Sequence, residues 1–155
     1  MNMRTLSLAA LTLLDVPPPE QVRIAAQAGF THVGLRLLPA TPSDPDYAML
    51  GDTPAVRDTL AALMATGVRV SDVEIVRLTP DFALNAQLRL FLDTAARLGA
   101  KQVLVAGNDD NRVRSAENLA RLAEAGQEHG LTMNLEPMPW THLRAIAEAQ
   151  ALIAA

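Results

Sequence analysis

The chain has 155 residues, 50% of them apolar and 19% charged, a balance that fits a packed globular protein and excludes disordered and collagen-like structure. Thirteen Lys and Arg against seventeen Asp and Glu leave a net charge of -4 with no basic, aromatic-interleaved patch, so the sequence offers no footprint for nucleic acid. With no cysteine, disulfides, thiolate metal sites and a Cys nucleophile are excluded, and the composition suits a reducing, cytoplasmic setting.

At the N-terminus Arg4 precedes the apolar run Leu6 to Leu14, outwardly like a leader peptide. Asp15, Val16 and three prolines follow in place of a small-x-small cleavage site, so the run is read as a buried first strand over Leu6 to Leu13. No other stretch reaches the roughly 18 consecutive apolar residues of a membrane span, and no membrane partner is expected.

Glycines 29, 67, 99 and 130 each close an Ala/Leu-rich stretch and precede an apolar run. Each reads as the glycine that ends a helix and feeds a strand. Their spacings of 38, 32 and 31 residues match one strand-helix repeat of a parallel α/β protein. Further strands are expected at Thr31 to Leu37, Val68 to Val76, Gln102 to Ala106 and Leu131 to Glu136. Helices fill the intervals. The first opens at the prolines with Pro19 in its first turn. The second has Thr53 as N-cap before Pro54, with Val56, Leu60 and Leu63 at helical spacing. The third carries a stripe of Leu84, Leu88, Leu92 and Ala95, the fourth carries Leu119, Leu122 and Ala123, and the fifth runs from after Thr141 through Ile146. Pro39 to Pro54 is the longest loop.

Two α/β architectures accommodate five βα units. A doubly wound sheet is covered on both faces, whereas a barrel keeps its helices outside and carries polar side chains inward. Period two favours the barrel. Asp72 and Glu74 oppose Val73 and Ile75; Thr132, Asn134 and Glu136 oppose Leu131, Met133 and Leu135; His32, Gly34 and Arg36 oppose Val33, Leu35 and Leu37. The expected fold is therefore a partial TIM barrel of about five βα units forming a single incomplete domain over 1–155, with a doubly wound five-stranded sheet as the alternative.

The polar rows hold the candidate site. Asp72 and Glu74, buried together, repel and raise one pKa unless Arg36 or Arg77 compensates, which makes the group either a substrate-binding cluster or an interior ion-pair network. Glu74, nearer the strand's C-terminal end, is the ligand-facing member. Arg36 offers a planar donor fork for a carboxylate or phosphate, or equally a partner for Glu74. Glu136 lies on a polar face just before Pro137. Of three histidines, His129 at a helix C-terminus and His32 at a strand start read as structural. His142, six residues after Glu136, is a candidate to approach a substrate. Gly107 to Asn111 lacks the spacing of a calcium loop and reads as a turn with a helix cap, contact of Asn108 or Asp109 with substrate being the lesser reading. Trp140 beside prolines reads as packing.

Thr31-His-Val-Gly-Leu-Arg-Leu-Leu-Pro39, Asp72-Val-Glu-Ile-Val-Arg-Leu78 and above all Leu135-Glu-Pro-Met-Pro-Trp-Thr141 resemble the sugar phosphate isomerase/epimerase family, whose barrel is xylose-isomerase-like. The resemblance runs through essentially the whole chain but covers about the first five of eight βα units. It implies a hydroxy-carbonyl substrate and an isomerase, an epimerase or a related dehydratase working by proton transfer. It also implies one divalent metal (Mn, Mg, Co or Zn) at the barrel mouth, held by residues at the ends of strands five to eight. Glu136 matches the strand-five ligand, and the others would lie beyond Ala155, leaving the site incomplete. On this reading Glu136 and Glu74 are catalytic, and Arg36, Asp72, Arg77 and His142 bind substrate.

Strands one and five are expected to leave open edges, and the sheet's inner face to expose Leu8, Val70 and Val76. Self-association or a complementing chain follows from both, and the alternative to an enzyme is a non-catalytic half-barrel that associates with a partner chain through those edges.

Overall fold

The computed structural model describes residues 5–155. The start of the leader-like segment, Met1 to Arg4, lies outside them. The elements run β1 (Ser7–Leu8), α1 (Pro18–Gln27), β2 (His32–Arg36), α2 (Pro54–Thr66), β3 (Arg69–Leu78), α3 (Ala86–Arg97), β4 (Gln102–Gly107), α4 (Arg112–Glu128), β5 (Thr132–Glu136) and α5 (Ile146–Ile153). Each strand pairs in parallel with the next, in the spatial order β1-β2-β3-β4-β5. A doubly wound sheet reverses its order at a switch point and buries its first strand, whereas β1 here is an edge. The chain is a partial TIM barrel of five βα units. Among the described residues no helix is long and apolar enough to cross a membrane.

Local chemistry sets the helix ends. Thr53 Oγ1, Asn85 Oδ1 and Asn111 Oδ1 accept from the amides of Val56, Leu88 and Arg114 at 3.2, 2.9 and 3.0 Å, satisfying donors that the first turns of α2, α3 and α4 leave free. The four glycines of the repeat all have positive φ, between 68° and 82°. Gly67 shows why: its amide closes α2 on the Leu63 carbonyl at 2.9 Å in a left-handed conformation that a Cβ would strain.

All five helices pack against one side of the sheet. Val22 and Ala25 of α1, Val56 of α2, Phe91 and Leu92 of α3, Leu122 of α4 and Leu152 of α5 share one buried cluster with Val33, Leu35, Val73, Val103 and Val105 of the strands. Burying each such Val, Leu or Phe contributes about 1.5–3 kcal/mol.

Three expectations are corrected. The first strand pairs only over Ser7 and Leu8; a 3-10 turn follows at Ala10–Leu13 and leaves Leu11 exposed. Buried Gln21 donates to the carbonyls of Leu13 and Val16 at 3.1 and 2.7 Å, so this stretch of backbone is satisfied without a neighbouring strand. Leu84 precedes α3, whose N-cap is Asn85, and packs on the core from the loop. Leu8, Val70 and Val76 belong to the helix-side cluster and not to the inner face. Two register shifts in β3 break strict alternation, one against Val33/Gly34 and one between Val73 and Val76, so that Val70, Val73, Val76 and Leu78 all reach the same core.

Candidate functional site at the C-terminal ends of the strands

The inner face is built in tiers by strand register. Gly34, Asp72, Gln102 and Thr132 align across β2 to β5; Arg36 pairs with Glu74, and Leu104 with Asn134; Arg77, Ala106 and Glu136 align nearest the C-terminal ends. Polar groups dominate this surface. Asn134 donates to Gln102 Oε1 at 2.6 Å, and Ser71 bridges the Ser7 hydroxyl, 2.8 Å away, to the Asp72 carboxylate. The absence of a Cβ at Gly34 makes room for Asp72, since a Cβ there would lie 2.8 Å from Asp72 Oδ2 and the carboxylate would have to shift.

The middle of the mouth is an ion-pair network. Arg36 donates through Nη2 to Glu74 Oε1 and through Nη1 to Asp44 Oδ2, both at 3.0 Å. The fork that the sequence offers to a substrate anion is thus committed to two protein carboxylates. Glu74 is only 5% exposed. Burial pushes its carboxyl above the usual range, Arg36 opposes the shift through charge and hydrogen bond, and the negative charges of Asp72 and Glu136 add to it. Those interactions bring Glu74, Asp72 and Glu136 into one electrostatic group.

Asp44 is the member that sequence reading did not single out. It lies in the loop between β2 and α2, where the Thr41 hydroxyl and the amides of Ala40 and Thr41 donate to it. These hydrogen bonds, the Thr41 hydroxyl's foremost, and the nearby Arg36 charge hold its carboxyl below the usual range despite the opposing effect of burial. The signal was the Thr-Pro-Ser-Asp turn at 41–44, a local hydroxyl-carboxylate pairing; the return of the loop onto Arg36, eight residues earlier, was not readable from it.

Arg77 lies on the Glu136 tier, with a buried Nε that has no hydrogen-bond partner. Glu136 is half-buried at the end of β5. His142 is exposed and lines a cavity of about 340 Å³ between the start of α4 and α5, together with Gly107, Asp109, Leu143 and Glu148. The inner-face residues Arg36, Glu74, Arg77 and Glu136 do not line that cavity. Asp109 is enclosed and paired with Arg114 at 2.6 and 2.7 Å, and Asn111 caps α4, so Gly107 to Asn111 is the turn and cap its sequence predicts. His32 bonds Thr31 at 2.9 Å at the opposite end of the sheet, and His129 is the C-cap of α4. Trp140, expected to pack, is 78% exposed, because Thr141 and Leu143 rather than Trp140 anchor the loop after β5.

A carboxylate at a strand end offers the hard oxygen donor that Mg, Mn, Co or Zn accepts. The ligand number does not suffice for a complete centre: no group of three His, Asp or Glu side chains able to hold a metal occurs among the described residues.

No curated protein matches the chain. Among solved structures, a xylose isomerase domain containing protein from Salmonella typhimurium LT2 superposes with a TM-score of 0.75 at 18% identity, over 99% of this chain and 58% of that one. The IOLI protein with a bound zinc atom gives 0.74 at 14% identity, over 97% and 58%. A sugar phosphate isomerase/epimerase from Parabacteroides distasonis gives 0.61 at 16% identity, over 99% and 64%. The chain therefore spans about three fifths of the length of these structures, and at such identities the likeness concerns fold. The model of the xylose isomerase-like TIM barrel matches residues 22–155, and with five parallel βα units and a polar inner face at the strands' C-terminal ends, the chain belongs to that family.

Proposed function

We propose that this chain carries the first part of the active site of an isomerase or epimerase that moves a proton beside the carbonyl of a sugar-like hydroxy-carbonyl compound. The observation that carries the reading is Glu74: a buried carboxyl with a raised pKa, oriented by Arg36, in one electrostatic group with Glu136. A carboxyl with a raised pKa keeps its proton to higher pH than a solvated one, which suits a group that takes and returns a proton, and Arg36 fixes one of its oxygens. Asp72 keeps the cluster negative beside it.

Glu136 is the group assigned to a divalent cation, as one ligand of a set whose other members lie outside these 155 residues or on another chain. A bound divalent ion supplies an electrophile for the substrate oxygen. The zinc bound by the similar IOLI structure supports the presence of a divalent metal in a barrel of this kind.

Thermal unfolding of the barrel that supplies the remaining ligands, with Mg, Mn, Co or Zn ions, tests the assignment. Stabilisation reaches about 2.7 kcal/mol at a hundred times the dissociation constant. Glu136→Gln is expected to remove the response while leaving the metal-free unfolding free energy within about 0.5 kcal/mol of the parent. An ion response unchanged in Glu136→Gln would remove Glu136 from the metal set. In a complete barrel the same substitution is expected to abolish turnover.

A further inference from the structure

Arg36 is divided between two carboxylates. Its Nη2 donates to Glu74 Oε1 and its Nη1 to Asp44 Oδ2, both at 3.0 Å, while its Nε is buried without an acceptor. Glu74 therefore receives one arm of a fork that can give a carboxylate two parallel bonds, and an unused donor stands on that same fork. Arg36 is also the cation that opposes the burial of Glu74. β3 itself carries Asp72 and, on the tier of Glu136, Arg77; β5 brings Glu136 with β4 between; the inner row of β4, Gln102, Leu104 and Ala106, is uncharged.

Asp44 belongs to a turn with a single attachment. The amides of Ala40 and Thr41 and the Thr41 hydroxyl donate to Asp44, and the Asp44 amide donates to the Thr41 carbonyl. Among the described residues, the bond from Arg36 to Asp44 is the only hydrogen bond or ion pair that joins residues 40–44 to the rest of the chain. Thr41, Pro42 and Ser43 are exposed. The later part of the same loop is anchored independently: Met49 is buried, Tyr47 Oη donates to the Leu14 carbonyl at 3.0 Å, and the Gly51 amide donates to Thr94 Oγ1 at 2.9 Å. A segment attached in this way lifts as a unit when one contact breaks, at little cost to the core.

Resting on the reading of Glu74 as the proton-transfer group, we propose that Asp44 is a positioning residue that sets, through Arg36, how firmly Glu74 holds its proton. With the turn docked, Arg36 is shared and Glu74 keeps the proton. With the turn lifted, Nη1 is released, the guanidinium turns Nε and Nη2 side-on to both oxygens of Glu74, and the proton passes to solvent. The position of this turn thereby decides whether the carboxyl meets a substrate as an acid or as a base.

The test is the titration of Glu74 in the 155-residue chain by carboxyl carbon NMR, with the Arg36 Nε-Hε resonance as a second readout. Asp44→Asn keeps the shape of the side chain and removes its charge. It is expected to lower the Glu74 midpoint by about one pH unit, about tenfold in proton affinity, and to shift the Nε-Hε resonance as that donor gains an acceptor. Thr41→Val, which loosens the turn and leaves Asp44 charged, is expected to lower the midpoint by a smaller amount. A midpoint that stays or rises in Asp44→Asn overturns the proposal, because a turn with a merely structural role would leave Glu74 unchanged or, by loosening Arg36, make it hold its proton more firmly. A Thr41→Val midpoint equal to the parent's overturns it as well. Neither readout uses metal or substrate, and the catalytic reading of Glu74 is tested separately by the turnover of Glu74→Gln in a complete barrel.

Discussion

Arg36 and Glu74 face each other across β2 and β3 with 3.0 Å between Nη2 and Oε1, and the second terminal nitrogen of Arg36 holds Asp44 at the same distance. One cation thereby ties two strands and the longest loop together at the mouth. Arg36→Met would strand a buried carboxylate beside Asp72 and Glu136. Breaking a buried pair from one side costs about 3 kcal/mol, and the double variant Arg36→Met/Glu74→Met should recover part of the loss. Urea unfolding of the three variants measures both quantities; a cost below about 1 kcal/mol for Arg36→Met would reduce the pair to the worth of a surface ion pair.

The pH dependence of stability carries opposite signs at the two ends of this network. Glu74 has a folded pKa raised above its ordinary 4.5, so the stability it contributes is present below 4.5 and is lost as pH rises through the folded value. Asp44 is lowered from 3.8, so its contribution is present above 3.8 and disappears as pH falls through the lower folded value. Glu74→Gln is expected to remove the decline on the high-pH side of 4.5 and to leave the acid limb in place. Carboxyl carbon NMR should find the Glu74 midpoint above 4.5, and a midpoint at or below 4.5 would contradict the burial argument.

Gly34→Ala places a Cβ 2.8 and 3.2 Å from the two Asp72 carboxylate oxygens. The clash falls on the movable end of half-buried Asp72, so the expected cost lies at the low end of the overpacking range, about 1 kcal/mol. Asp72→Ala in the same chain should restore most of that loss in thermal unfolding, whereas an undiminished loss would place the clash elsewhere.

Among the described residues β5 pairs only with β4 and β1 only with β2, and Val113, Ile146 and Ile153 of α4 and α5 are exposed. We expect the 155-residue chain to self-associate through its open edges. Light scattering at micromolar concentration checks this, a monodisperse monomer with no hydrophobic-dye binding being the contrary outcome. The inner face contributes less than its sequence implied, since Val70 and Val76 lie under the helices and mainly polar groups line that surface.

Much of the fold was legible along the chain because its signals are local. A glycine in a left-handed turn ends a helix whatever lies beyond it, and Thr53, Asn85 and Asn111 cap helices through atoms three residues away. The polar rows of β2 and β5 follow from the two-residue repeat of an extended strand, so Arg36 and Glu136 could be placed on the inner face from sequence alone. What tertiary structure decided is where that repeat breaks and what meets across it. The register shifts in β3 depend on its neighbours, and they turned Val70 and Val76 toward the helices. The two-sided hold on Arg36, by Glu74 on the next strand and by Asp44 in the following loop, and the missing hydrogen-bond partners of Arg77 Nε and Asn108 Oδ1 depend on how strands and loop meet in space, which hydropathy and spacing do not encode.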